Sequence, residues 1–114
     1  QSLSSRNVLC LGGVPHPDGA VCEKLPTRID SLSSALLASG AMQLRANQCF
    51  VNTYRPGEGI DAHSDGPAFH KEVAILSLEG PALIYFRLFD RVSFPDLPVK
   101  LELLLQPRSL LLIR

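Results

Sequence analysis

From Gln48 onward the apolar residues of this 114-residue chain come in short runs, each cut by glycine or proline, and this punctuation constrains the fold more than any other feature. Pro56-Gly57-Glu58-Gly59, Gly66-Pro67, Gly80-Pro81 and Pro107-Arg108-Ser109 separate segments at 48–54, 73–78, 82–89, 99–105 and 110–113. Proline lacks the N–H that a helix or ladder needs, and glycine takes backbone angles other residues avoid, so long helices are excluded here. Val99, Leu101, Leu103 and Leu105 alternate with Lys100 and Glu102, the two-residue period of a strand with one buried face.

Upstream, Gly12, Gly13, Pro15, Pro17 and Gly19 crowd residues 8–22, which read as loop. One amphipathic helix follows. Ile29, Leu32 and Leu36 repeat at helical spacing, Ala35 and Leu37 broaden the stripe, Thr27 offers a hydroxyl cap, and Gly40 stands where a left-handed terminator is wanted. Short strands with a single helix predict a mainly β, α+β architecture: a sandwich or jelly roll with the helix packed outside. The expected organisation is one domain, with loop and supporting helix over 1–47 and strands over 48–114. The last strand ends at Arg114 without a visible partner, which predicts an open edge and a truncated domain.

Eleven Lys and Arg balance eleven Asp and Glu, so the chain lacks the basic excess of a sequence-independent nucleic-acid binder. Cys10, Cys22 and Cys49 are odd in number and widely spaced, which argues against a zinc knuckle or disulfide framework and for a reducing, intracellular compartment. No apolar run approaches the ~20 residues of a spanning helix, so no membrane partner is expected. The first residue is Gln1, and no signal-like segment follows, which predicts a start within a longer protein.

His63-Ser64-Asp65 carries the most chemistry. In a strand, residues i and i+2 point to one side with Cα atoms about 6.5 Å apart, so an imidazole and a carboxylate can converge on one ion. Two His and one carboxylate with open positions form the facial triad of non-haem iron(II) oxygenases. Alone, the triplet fits an exposed polar turn better than an ion site. Asn52 and Tyr54 share one face of the extended segment before the Pro-Gly turn, and both can donate to a carboxylate. Gly57 and Gly59 read as turn residues, since no helix pattern follows them to make a phosphate loop.

The string Asn52-Thr53-Tyr54-Arg55-Pro56-Gly57-Glu58-Gly59-Ile60-Asp61-Ala62-His63-Ser64-Asp65 resembles the AlkB-like dioxygenases, whose motif runs Asn-x-Tyr, a Pro-Gly turn, then His-x-Asp. The Val-Ala-Ile-Leu-Ser-Leu segment at 73–78 and the Leu-rich hairpin with Pro107-Arg108-Ser109 also fit. The upstream Gly12-Gly13-Val14-Pro15-His16-Pro17 looks most like the sixth AlkB-homologue subfamily. The resemblance implies a double-stranded β-helix, or jelly roll, incomplete at the C-terminus. It implies iron(II) held by His63 and Asp65, and 2-oxoglutarate bound by Asn52 and Tyr54 and consumed with O2. The implied activity is oxidative demethylation of alkylated DNA or RNA, in the cytoplasm or nucleus.

The family's distal His and its 2-oxoglutarate-binding Arg have no counterpart in these residues. His16 and His70 read as surface or structural histidines, and Arg108 and Arg114 precede the family's Arg position. Arg87, Arg91 and Lys100 near Tyr85, Phe86 and Phe89 read as a solvated face more than a nucleic-acid patch. The competing expectation is a catalytically inactive, truncated jelly-roll domain that serves as a binding module.

Overall fold

The computed structural model describes residues 5–16, 18–66, 69–88, 92–93, 95–96 and 100–114. These residues form strands β1 (Asn7–Leu11), β2 (Gly13–His16), β3 (Gly19–Cys22), β4 (Cys49–Thr53), β5 (Val73–Leu76), β6 (Ala82–Arg87), β7 (Lys100–Leu105) and β8 (Leu110–Ile113), with one helix, α1 (Thr27–Ala38). The fold is mainly β with a single helix, and every ladder among the described residues is an antiparallel pair of two strands. The chain divides into two compact units, Gln1–His70 and Lys71–Arg114. No helix among the described residues is long and apolar enough to cross a membrane.

In the first unit, residues expected to form a loop are strands. β1 pairs with β4, from Asn7 opposite Thr53 to Leu11 opposite Cys49, and β2 pairs with β3. Gly12 and Gly13 take φ of 89° and 110°, which turns the chain between β1 and β2 without ending the extended structure. Pro15 is tolerated because a two-stranded ladder leaves each strand an edge where a missing N–H costs no bond. Gly12 is also a close approach: a Cβ there would lie 2.2 Å from the Asn47 carbonyl oxygen and 3.0 Å from Leu25.

The helix begins at Thr27, with Pro26 at the cap position and no side-chain cap. Thr27 is therefore not the cap, because a capping hydroxyl must come from the residue just outside the helix. Gly40, at φ 77°, closes the helix as expected, and its N–H donates to the Leu37 carbonyl at 3.1 Å. The buried edge of α1 runs Ile29, Ser33, Leu36 instead of Ile29, Leu32, Leu36. Leu32 and Leu37 are exposed, whereas the buried Ser33 hydroxyl donates to the Ala46 carbonyl at 2.8 Å. The hydrogen bond satisfies the hydroxyl, which lets a polar residue occupy the helix's inner side. Leu25 and Met42 are the buried apolar side chains among the described residues.

In the second unit, β5 pairs with β8, and between them in sequence β6 pairs with β7, so one ladder's strands enclose the other's. β8, for which no partner was visible in the sequence, pairs with β5, and in this two-stranded ladder it keeps the open edge that was expected. Backbone bonds between Ser77 and both Arg108 and Ser109 prolong the β5–β8 connection. Arg108 turns the chain at φ 60°. Phe89 and Arg91, read from sequence as part of a solvated face, lie outside the described residues, as does Val99 at the start of the alternating run.

Candidate metal and cosubstrate site

The site is built on the turn that follows β4. Arg55-Pro56-Gly57-Glu58 forms a type II turn: Pro56 stands at its second position, Gly57 takes φ 85° at its third, and the Glu58 N–H donates to the Arg55 carbonyl at 2.9 Å. Only a residue free to adopt positive φ suits that third position, which is why Pro-Gly reverses the chain here. Beyond it, residues 60–66 are not a strand. The expected strand geometry at 63–65 is replaced by irregular backbone, yet the two side chains still converge.

His63 Nε2 lies 3.5 Å from Asp65 Oδ1, and both side chains are about half exposed, at 51% and 58%. The other ring nitrogen, Nδ1, lies 2.8 Å from the Asp61 carbonyl oxygen. A carbonyl oxygen only accepts, so Nδ1 carries a proton, and Nε2 is the ring nitrogen turned toward Asp65. Two ligands about 2.1 Å from one ion and at right angles stand about 3.0 Å apart, close to the spacing here. A backbone carbonyl holding the far ring N–H is also the usual way a ligating imidazole is oriented. The pair therefore fits two adjacent positions on one cation. Among the described residues no cluster of three or more His, Cys, Asp or Glu side chains surrounds such a point.

Asn52 lies on β4 and Tyr54 one residue past its end, on the strand face opposite Cys49 and Val51. Both side chains are exposed, and neither hydrogen-bonds another described residue. Phe50, on the same face, meets Phe69 edge to face with ring centroids 6.1 Å apart. Phe69 follows Asp65 by four residues, so the segment after the Pro-Gly turn folds back toward the face that carries Asn52 and Tyr54. On the opposite face, burial pushes the Cys49 thiol above its ordinary value, so it is a poor candidate for ligation or nucleophilic attack. Cys10 and Cys49 are free thiols.

Sequence reasoning missed three contributors. The Asp61 carbonyl leaves no signature, because any residue supplies one. Phe69 stands outside the motif. Glu58, three residues after Arg55, did carry a local signal: a carboxylate at the end of a Pro-Gly turn can reach back to the first residue's N–H, and it does so at 2.8 Å.

The described residues thus form a mainly β protein in which a Pro-Gly turn joins an Asn-x-Tyr strand to a paired His and Asp. No family model matches the chain. It is 36% identical over 119 residues to the "Probable RNA/DNA demethylase ALKBH6" of Danio rerio, covering 98% of this chain and 51% of that protein. Similarity extends to the "Uncharacterized protein L905" of Acanthamoeba polyphaga mimivirus, 29% identical over 80% of this chain and 41% of the viral protein. It extends also to the "tRNA (carboxymethyluridine(34)-5-O)-methyltransferase ALKBH8" of Mus musculus, 30% identical over 99% of this chain and 17% of the mouse protein. The chain thus belongs to the AlkB-like family, and it spans about half the length, or less, of these relatives.

Proposed function

We propose that this chain is part of an iron(II)- and 2-oxoglutarate-dependent dioxygenase that oxidatively demethylates alkylated nucleic acid inside the cell. The observation that carries the reading is the His63–Asp65 pair, with one imidazole nitrogen tied to the Asp61 carbonyl and the other turned toward the carboxylate. His63 and Asp65 would hold the iron, and Asn52 and Tyr54 would hydrogen-bond 2-oxoglutarate from the open face of β4. When bound, the iron with 2-oxoglutarate and O2 supplies the oxidising chemistry, and the protein supplies geometry and exclusion of water. A target base in a duplex would have to be flipped out. Support for nucleic acid as substrate comes from the zebrafish relative's name, an RNA/DNA demethylase, and from the tRNA modification named for the mouse relative.

The nested pairing of β5 with β8 around β6 with β7 supports a jelly roll, since that fold is an antiparallel ribbon wound so that successive nested pairs fall in facing sheets. A single domain, with residues 1–47 as loop and supporting helix and 48–114 as jelly-roll strands, belongs to the same proposal.

The test is formaldehyde release from methylated DNA and RNA oligonucleotides by the full chain supplied with iron(II), 2-oxoglutarate and O2. Release from one methylated oligonucleotide, abolished in His63→Ala, is the expected result, and no release from any of them counts against it. The absence of a third donor beside His63 and Asp65 among the described residues favours a second reading, a non-catalytic binding module. Tight one-to-one iron binding with 2-oxoglutarate turnover excludes it.

A further inference from the structure

We infer that Glu58 is a positioning residue that sets the distance between the Asn52–Tyr54 face and the His63–Asp65 pair; this rests on the function proposed above. Its carboxylate engages two separate segments. Oε2 accepts the Arg55 N–H at 2.8 Å, inside the turn, and Oε1 accepts the Ser5 hydroxyl at 3.1 Å, from the residue two positions before β1 begins. The backbone doubles both connections: the Glu58 N–H donates to the Arg55 carbonyl at 2.9 Å, and the Ser5 N–H donates to the Gly59 carbonyl at 3.1 Å. Ser5 and Gly59 form a β-bridge, and β1 is the ladder partner of β4.

The turn is therefore clipped on two sides to the same strand pair that displays Asn52. Glu58 comes four residues after Tyr54 and five before His63, midway along the only covalent connection between the two halves of the site. Residues 60–66 have no ladder of their own, so the clip anchors the start of this irregular segment, and the Phe50–Phe69 contact lies beyond its end. The role requires a group that can hold two donors at once. A carboxylate does so with two acceptor oxygens. Glutamine of the same length can accept the Arg55 N–H with its oxygen and donate to the Ser5 hydroxyl with its amide, whereas alanine reaches neither.

The experiment compares Glu58→Ala, Glu58→Gln and Ser5→Ala in the full chain, by titration with iron(II) and with 2-oxoglutarate and by hydrogen exchange at the Arg55 amide. Expected are a roughly 10-fold loss of affinity for both in Glu58→Ala, the range for residues that orient ligands from behind, with fast Arg55 exchange. Glu58→Gln should restore both readouts, and Ser5→Ala should fall between. Unchanged affinities in Glu58→Ala despite fast Arg55 exchange overturn the inference, as does a slow Arg55 amide in that variant. If Glu58→Ala does not fold, Glu58→Gln and Ser5→Ala decide by the same readouts. A wild-type chain that binds neither iron nor 2-oxoglutarate overturns the proposed function together with the positioning role, while Arg55 exchange still reports whether Glu58 holds the turn.

Discussion

The two units of the chain are organised by different forces. In Lys71–Arg114, strands come from apolar alternation: Ile84 and Phe86 share a half-buried face of the β6–β7 ladder with Leu103 and Leu105, while Leu83 and Leu104, paired across the other face, are 61% and 60% exposed. Along that second face the character shifts from Leu83 and Leu104 to Tyr85, whose ring lies 5.4 Å from the Arg87 guanidinium and 4.7 Å from the Lys100 ammonium, with Lys100 also paired to Glu102. In Gln1–His70, placement depends instead on particular backbone positions and single hydrogen bonds: Gly12 against Asn47, Gln48 Nε2 donating to the Gly13 carbonyl at 3.0 Å, Ser33 on Ala46, and Asp61 on His63. A region specified by pattern tolerates many single changes, and one specified by contacts tolerates few.

That contrast can be broken by substitution. If His63 is the iron ligand proposed above, His63→Ala should lower iron(II) affinity by about 100-fold or more with little change in unfolding, because its side chain is half exposed; titration and urea denaturation read the two effects. Gly12→Ala should destabilise the chain by about 3 kcal/mol in urea unfolding, combining strain at positive φ with overlap on the Asn47 carbonyl. An alanine tolerated there would mean the first unit is less tightly specified than its contacts suggest.

Within the second unit Arg114 Nε lies 3.3 Å from Glu72 Oε1, and the Glu72 side chain is only 4% exposed. Arg114→Ala should cost about 1–2 kcal/mol, less than for a fully buried pair because the guanidinium is half exposed and Glu72 has other interactions. Ser33→Ala should cost about 1 kcal/mol by leaving the Ala46 carbonyl without its donor. If it costs less than Arg114→Ala, as expected, a single charged pair in the patterned unit outweighs a single neutral bond in the contact-built one. The smallest effect concerns Cys49. Its thiol is raised, so less of it is thiolate at mildly alkaline pH, and iodoacetamide should modify exposed Cys22 before Cys49, as followed by mass spectrometry.

The sequence by itself determined the single helix and its Gly40 terminator, the strands at β4 to β8, the turn at Pro56-Gly57 and the family, because each rests on local periodicity, on what glycine and proline permit, or on a short ordered string. Residues 8–22 were not legible in the same way: their glycines and prolines mark bends, and whether bends separate strands or fill a loop depends on partners such as Cys49 and Thr53, distant in sequence. The partner of β8 was hidden for the same reason, since pairing with β5 crosses two intervening strands. His63 and Asp65 could be named from the motif, but their convergence did not come from the strand geometry that spacing suggested. The Asp61 carbonyl, two residues away, holds the ring, while tertiary structure ties the flanking residues to distant segments through the Phe50–Phe69 contact and the bond from Ser5 to Glu58. Side-chain direction in an irregular segment is set by such individual contacts, near and distant, and no periodicity encodes them.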